Sequence, residues 1–216
     1  MVALRGGTQS PTTVTKAELD QAARNYRVTA TTLVYAAWSL FLGGITTWDR
    51  VGFSVSLSGR TVPWPRAQSV LGSLLGRGIF TAHIDKNATV QDWLSNVHKT
   101  TLDLIESDGL THGLPEALIT DARSSTTNVL CFLDIPQSSP NWSYREQQGH
   151  NYLIDWYLFL ESDGGLKTEF EVQSRKVDVD WARTVADLPG RLLEQLVYAA
   201  PQTLVGTLQP AVQSLV

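Results

Sequence analysis

Few residues in this chain could do acid–base or nucleophilic chemistry, and they are scattered. Its 216 residues hold four histidines (His83, His98, His112, His150) and one cysteine, Cys131. A metal centre needs Cys, His or carboxylate ligands gathered at short spacing. No HExxH, CxxC or EF-hand pattern is present. No glycine run matches a phosphate loop or a dinucleotide fingerprint; Gly72-Ser-Leu-Leu-Gly76 is only a pair of glycines. A GxSxG nucleophile elbow is also absent.

Each isolated candidate has a plain structural reading. Cys131 sits in an apolar strand pattern, Asn128 to Leu133. Reactive thiols need an electropositive setting, so inert packing is the expectation. His98 reads as a surface position on a helix. His83 follows a strand and could act as a base, but no nucleophile is paired with it in sequence. His112 falls in a glycine-bounded turn, where lining a cleft is the alternative to plain solvation. His150 ends a long polar loop and reads similarly. Asp103, Glu106 and Asp108 look like a solvated helix end. Residue chemistry alone gives an α/β domain without a recognisable active site.

The elements that would position these residues follow from patterning. With 43% hydrophobic and 18% charged residues, the chain can bury one core, and one domain is expected. A net charge of −4 gives no reason to expect nucleic acid or an anionic membrane as partner. One cysteine cannot form an internal disulfide, which points to a reducing, cytoplasmic setting. The longest apolar run, Thr32 to Leu42, is too short to span a bilayer. Residues 1–11 read as a linker or chain end, 12–208 as the folded unit and 209–216 as a tail or linker. Thr15 and Glu18 form a capping-box pattern for a short helix to about Asn25. A second, very apolar helix follows from Ala30 to Leu42, with Gly43-Gly44 as its stop. Val51 to Leu57 predicts a strand, then Ser58-Gly59-Arg60, a proline loop, a helical turn within Gln68 to Leu75, and a strand from Ile79 to Ile84.

Thr89 heads a long helix whose buried side carries Val90, Trp93, Leu94, Val97, Thr101, Leu104 and Ile105. A short helix around Pro115 to Ile119 and the strand Asn128 to Leu133 come next. Ile135 to His150 reads as the longest loop. Ser162-Asp163-Gly164-Gly165 predicts a hairpin between strands Tyr152–Leu160 and Leu166–Val172. Pro189 predicts a kink or break in the last helix, Asp180 to Tyr198. Thr203 to Leu208 reads as a short extended tail. This order of elements predicts an α/β layer, a mixed sheet with helices packed on it.

Several runs, in order, resemble the C-terminal half of a condensation domain of nonribosomal peptide synthetases. They are Val28-Thr29 to Ala36-Ala37-Trp38, then Val51-Gly52-Phe53, Ser58-Gly59-Arg60 and Leu71-Gly72. Asn87-Ala88-Thr89-Val90-Gln91-Asp92-Trp93-Leu94 and Asp163-Gly164-Gly165-Leu166 continue the likeness, which runs from about Thr13 nearly to the end and is closest in style to fungal synthetases. The resemblance implies a single lobe similar to chloramphenicol acetyltransferase. In the family two such lobes enclose a tunnel entered by carrier-bound substrates, and the catalytic HHxxxDG motif belongs to the N-terminal lobe. This chain has no adjacent pair of histidines.

The likeness also decays locally. Aligned from Gly72, the family's Phe, Asn, Thr and Arg fall on Leu74, Gly76, Arg77 and Thr81. The family's HQDxPFE segment is only partly kept around Ser107 to Glu116. The RDxSRNPL segment is reduced to Thr120-Asp121-Ala122-Arg123-Ser124, and Asn128 is not followed by Pro. The resemblance therefore implies a degenerate or truncated condensation lobe that acts as a structural and docking platform for an adenylation or carrier domain of the same synthetase. The alternative is an excised acceptor-side lobe of a working condensation domain. Arg60, Arg77, His112, Trp142 and Tyr144 are the tunnel or interface candidates. No catalytic, cofactor or metal residue is assigned; phosphopantetheine would arrive on a partner carrier domain.

Overall fold

Thr15 ends one element and starts the next. The computed structural model describes residues 8–57, 69, 76–106, 127–136, 138–139, 142–143 and 152–208. Strand β1 (Thr8–Thr15) leads directly into helix α1 (Lys16–Tyr26). The Thr15 hydroxyl accepts from the Glu18 amide, and the Glu18 carboxylate accepts from the Thr15 amide at 2.8 Å. This reciprocal pair satisfies two amides that the first helical turn leaves open. Arg27, in the left-handed conformation, closes the helix. Helix α2 (Ala30–Thr46) starts at Thr29, whose hydroxyl accepts from the Thr32 amide.

The α2 helix is buried all round from Thr32 to Gly44. It does not stop at Gly43-Gly44, as the glycines suggested, but runs on to Thr46 with Thr47 in the left-handed position. Burial on all sides outweighs the small helix penalty of two glycines. The chain then forms β2 (Arg50–Leu57), β3 (Gly76–His83) and helix α3 (Val90–Glu106). Next come β4 (Thr127–Pro136), the short strands β5 (Ser138–Ser139) and β6 (Trp142–Ser143), then β7 (Ile154–Leu160) and β8 (Gly165–Val172). Helices α4 (Val179–Val185) and α5 (Leu188–Tyr198) follow, separated at Ala186-Asp187 with Pro189 in the first turn of α5. The break is where proline, lacking an amide, fits a helix start better than a helix interior.

Six strands form one mixed sheet in the order β1-β8-β7-β4-β2-β3. The central pairs β2–β4 and β4–β7 are parallel, and the flanking pairs are antiparallel. The α/β architecture read from the sequence is therefore the observed one. Three local readings are corrected. Thr8 to Pro11, placed in a linker or chain end, belong to β1, which pairs along the open edge of β8 with a register shift after Pro11. An edge strand tolerates proline because one side of its backbone needs no partner. Ile135 to His150, read as a loop without pattern, contains the end of β4 and the β5–β6 ladder. The tail from Thr203 is not simply extended: Leu204 bridges Thr89, and Val205–Thr207 form a 3-10 turn.

The helices cover one face of the sheet. Trp38 of α2 stacks on Trp156 of β7, with ring centroids 5.5 Å apart and planes 9° apart. Tyr35 meets Phe53 of β2 and Phe80 of β3. Along each strand alternate residues point to opposite faces. Phe53, Val129, Trp156 and Phe170 thus turn toward the helices, while Ser54, Asn128, Asp155 and Glu171 turn away. Among the described residues no single helix is long and apolar enough to cross a membrane.

Candidate functional site

The face of the sheet away from the helices carries the polar residues at its centre. Ser54, Asn128 and Asp155 lie side by side in the strand register, and all are buried. Asn128 Nδ2 donates to Asp155 Oδ1 at 3.0 Å. A buried carboxylate is tolerated only when it is hydrogen-bonded, so this pair ties β4 to β7 as well as occupying the face. Patterning missed it, because Asn128 and Asp155 stand inside apolar runs that read as core strand.

Arg77 is exposed near the start of β3, with its guanidinium 5.5 Å from the centroid of the Tyr152 ring. That geometry is a cation–π contact. Of the other positions singled out in the sequence, Arg60, His112 and Tyr144 lie outside the described residues. So do His150, the helix expected at Pro115 to Ile119 and, apart from Ser69, the turn expected within Gln68 to Leu75. For Trp142 only the backbone, in β6, is described.

The remaining titratable candidates are placed apart. His98, expected on the surface, is partly buried, and its Nδ1 lies 3.0 Å from the Thr32 hydroxyl of α2. It joins two helices because α3 lies across α2, a tertiary contact that helical periodicity cannot show. His83 ends β3 with its Nε2 3.9 Å from Asp49 Oδ2, both well exposed. Its carbonyl accepts from the Trp93 indole at 2.8 Å. Cys131 is partly buried, and burial pushes its thiol up to about 12. Tyr35 beside it is also raised, first by burial and then by Cys131. A thiol held neutral at physiological pH is a poor nucleophile. Among the described residues no group of three His, Cys, Asp or Glu side chains could hold a metal ion.

An open cleft of ≈ 1220 Å³ lies against the start of β2 and the end of β3. Its wall is built from the end of α2 (Leu42, Ile45), the start of β2 (Arg50, Val51), Thr127, Ile154, Lys176 and Trp181.

No family model matches the chain. Individual relatives do. A nonribosomal peptide synthetase of Fusarium vanettenii is 34% identical over 181 residues, which is 81% of this chain and 3% of that protein. The synthetase dtxS1 of Metarhizium robertsii is 31% identical over 137 residues, 62% of this chain and 2% of the relative. Among solved structures, the first condensation domain of the CDA synthetase superposes with a TM-score of 0.74 at 17% identity, covering 95% of this chain and 47% of that one. A holo four-domain nonribosomal peptide synthetase bound to AMP and glycine superposes with a TM-score of 0.73 at 14% identity, covering 95% of this chain and 18% of that one.

This chain is a relative of fungal nonribosomal peptide synthetases, folded as one lobe of a condensation domain. The lobe spans only a few per cent of the synthetases it matches and about half of the condensation-domain structure. The resemblance drawn from Ala36-Ala37-Trp38 and Val51-Gly52-Phe53 therefore has a structural meaning. Trp38 of the first run is the ring stacked on Trp156 at the core of the lobe, and Phe53 of the second is fully buried.

Proposed function

We propose that this condensation-domain lobe serves as a structural and docking platform for a neighbouring adenylation or carrier domain, and does not form peptide bonds by itself. The observation that supports this reading is the state of its histidines. No two are adjacent in the sequence. Of the described pair, His98 is engaged by Thr32 and His83 sits exposed beside Asp49. A general base must reach the proton it removes, directly or through one water, in a site that orients both reactants. His98 is held between two helices, and His83, on the wall of the cleft, has Asp49 rather than a nucleophile beside it. In this reading Arg77, Trp142 and Tyr144 are interface residues.

The competing reading is an acceptor-side lobe whose catalytic base is supplied from outside these residues. The 34% identity over 181 residues to a synthetase segment favours it, because that stretch has stayed close to its relative. Substrates would then arrive on the phosphopantetheine of a carrier domain, with Arg60 and His112 on the acceptor side.

One pair of measurements separates the two. The adenylation domain of the same synthetase is prepared with and without this lobe, and its soluble yield and amino-acid-dependent ATP–pyrophosphate exchange are compared. Loss of either without the lobe is the expected result; unchanged values overturn the platform. Peptide-bond formation between two carrier-bound aminoacyl groups, catalysed by the 216 residues alone, would overturn the non-catalytic half of the proposal.

A further inference from the structure

His98 of α3 ends a chain of polar groups that starts in the backbone of α2. The Thr32 amide donates to the Thr29 hydroxyl at 3.2 Å. The Thr29 and Thr32 hydroxyls lie 2.9 Å apart, and the Thr32 hydroxyl lies 3.0 Å from His98 Nδ1. Thr32 is fully buried, Thr29 is exposed and the imidazole is partly buried.

Each hydroxyl has a single hydrogen to donate, so these positions admit two arrangements. In one, Thr29 donates to Thr32, and Thr32 donates to a bare Nδ1. Every hydrogen then points the same way, from amide to imidazole, and each bond polarises the next. In the other, Nδ1–H donates to Thr32 and Thr32 donates to Thr29. The Thr29 oxygen then receives two hydrogens while its own turns to water. The site favours the first. Thr32 lies in the first turn of α2, where the helix dipole presents partial positive charge and suits an acceptor better than a donor.

Charged groups on the neighbouring elements are engaged or exposed. Helix α2 carries none. On α1, Lys16 pairs with Asp20, Arg24 donates to Gln21, and Glu18 accepts from Thr15. Arg27, between the two helices, is exposed. On β3, His83 faces Asp49 and Arg77 faces the Tyr152 ring. On α3 itself, Asp92 accepts from Thr89, and Lys99, Asp103 and Glu106 are exposed. Among the described residues no ion pair includes His98.

We propose that neutral His98 carries its hydrogen on Nε2, and that uptake of a proton from solvent at Nδ1 reverses the hydroxyl relay. Nδ1–H then donates to Thr32, whose hydrogen turns to Thr29. The start of α2 thereby responds to the charge of a residue on α3, in the range of about pH 5 to 8 where histidines titrate. This is a proton-sensitive joint between two core helices, and it does not rest on the docking platform.

The test is NMR of the isotope-labelled 216-residue chain. At pH 8, long-range correlations within the His98 ring should show hydrogen on Nε2 and a bare Nδ1; hydrogen on Nδ1 overturns the proposal. On acidification, the backbone amide signals of Thr29 and Thr32 should move with the same midpoint as the His98 ring protons. Thr32→Val removes the hydroxyl at constant shape. It should abolish the movement at Thr29, apart from the through-space field of the imidazolium, while the ring still titrates. Thr32→Ser should restore it. Thr29→Ala, at an exposed position, cuts the relay one link earlier without touching the core. It should keep the ring tautomer and lose the movement of the Thr32 amide. Amide signals that ignore the His98 midpoint, or that move equally in the wild-type chain and both relay-cutting variants, overturn the proposal.

Discussion

At the scale of single residues, burial governs this lobe more than charge does. The stacked indoles of Trp38 and Trp156 are fully buried, yet neither Nε1 has a hydrogen-bond partner among the described residues. The rings therefore stabilise through contact area while their N–H groups cost. Trp38→Ala should lower the unfolding free energy by about 3–5 kcal/mol in urea titrations. Trp38→Phe should cost much less, since it removes the unpaired N–H along with part of the ring. Cys131 makes a second prediction. Its thiol is raised to about 12 in the fold from 9.0, so the unfolded chain releases this proton first. The associated stability is full below pH 9 and declines as pH rises from there toward 12. At pH 8 a disulfide reagent should label Cys131 slowly in the native chain and rapidly in urea; equal rates would show that the thiol is open.

At the scale of elements, what was legible in the sequence was whatever local chemistry decides. Thr15 with Glu18, Pro189 at the α4–α5 break, and Asp163-Gly164-Gly165 between β7 and β8 each act through neighbours a few residues away, and each stands where its residues placed it. The hairpin is sensitive to one of them. Gly164 has φ +87 and open space around its Cα. Gly164→Ala should therefore cost about 1 kcal/mol from backbone conformation alone, read as a lowered urea midpoint with unchanged m-value.

What was not legible depends on distant partners. Strand β1 exists because β8 offers an edge. Helix α2 continues through Gly43-Gly44 because its neighbours enclose it, and His98 turns inward because Thr32 lies across from it. The candidate site follows the same rule. Single residues such as Arg77 were visible, but the Asn128–Asp155 pair and the cleft at Thr127 arise only when strands far apart in sequence become neighbours.

At the scale of the whole molecule, α2 is the axis on which the layers meet. One side of it rests on the sheet, and α5 lies across another, closed by the hydrogen bond from Tyr26 in α1 to the carbonyl of Ala199. Ending the chain after Val172 would remove α4 and α5 and leave the apolar length of α2 uncovered. Such a variant should be recovered mostly as insoluble protein, and its soluble fraction should bind a hydrophobic dye strongly. A soluble, cooperatively melting variant would show that the sheet alone can hold α2.

The pairing of Thr8 with Phe170 sets a timetable as well as a shape. Among the described strands the first waits for the last, and the parallel pair β2–β4 at the centre of the sheet joins segments on either side of α3. On the ribosome, the helices α1 and α2 emerge long before any surface exists to receive them. Contacts this distant along the chain slow folding, and apolar segments left open in the meantime attract one another between chains. The yield of this lobe should therefore depend on how fast it is translated and on how well its first two helices are shielded until β8 arrives.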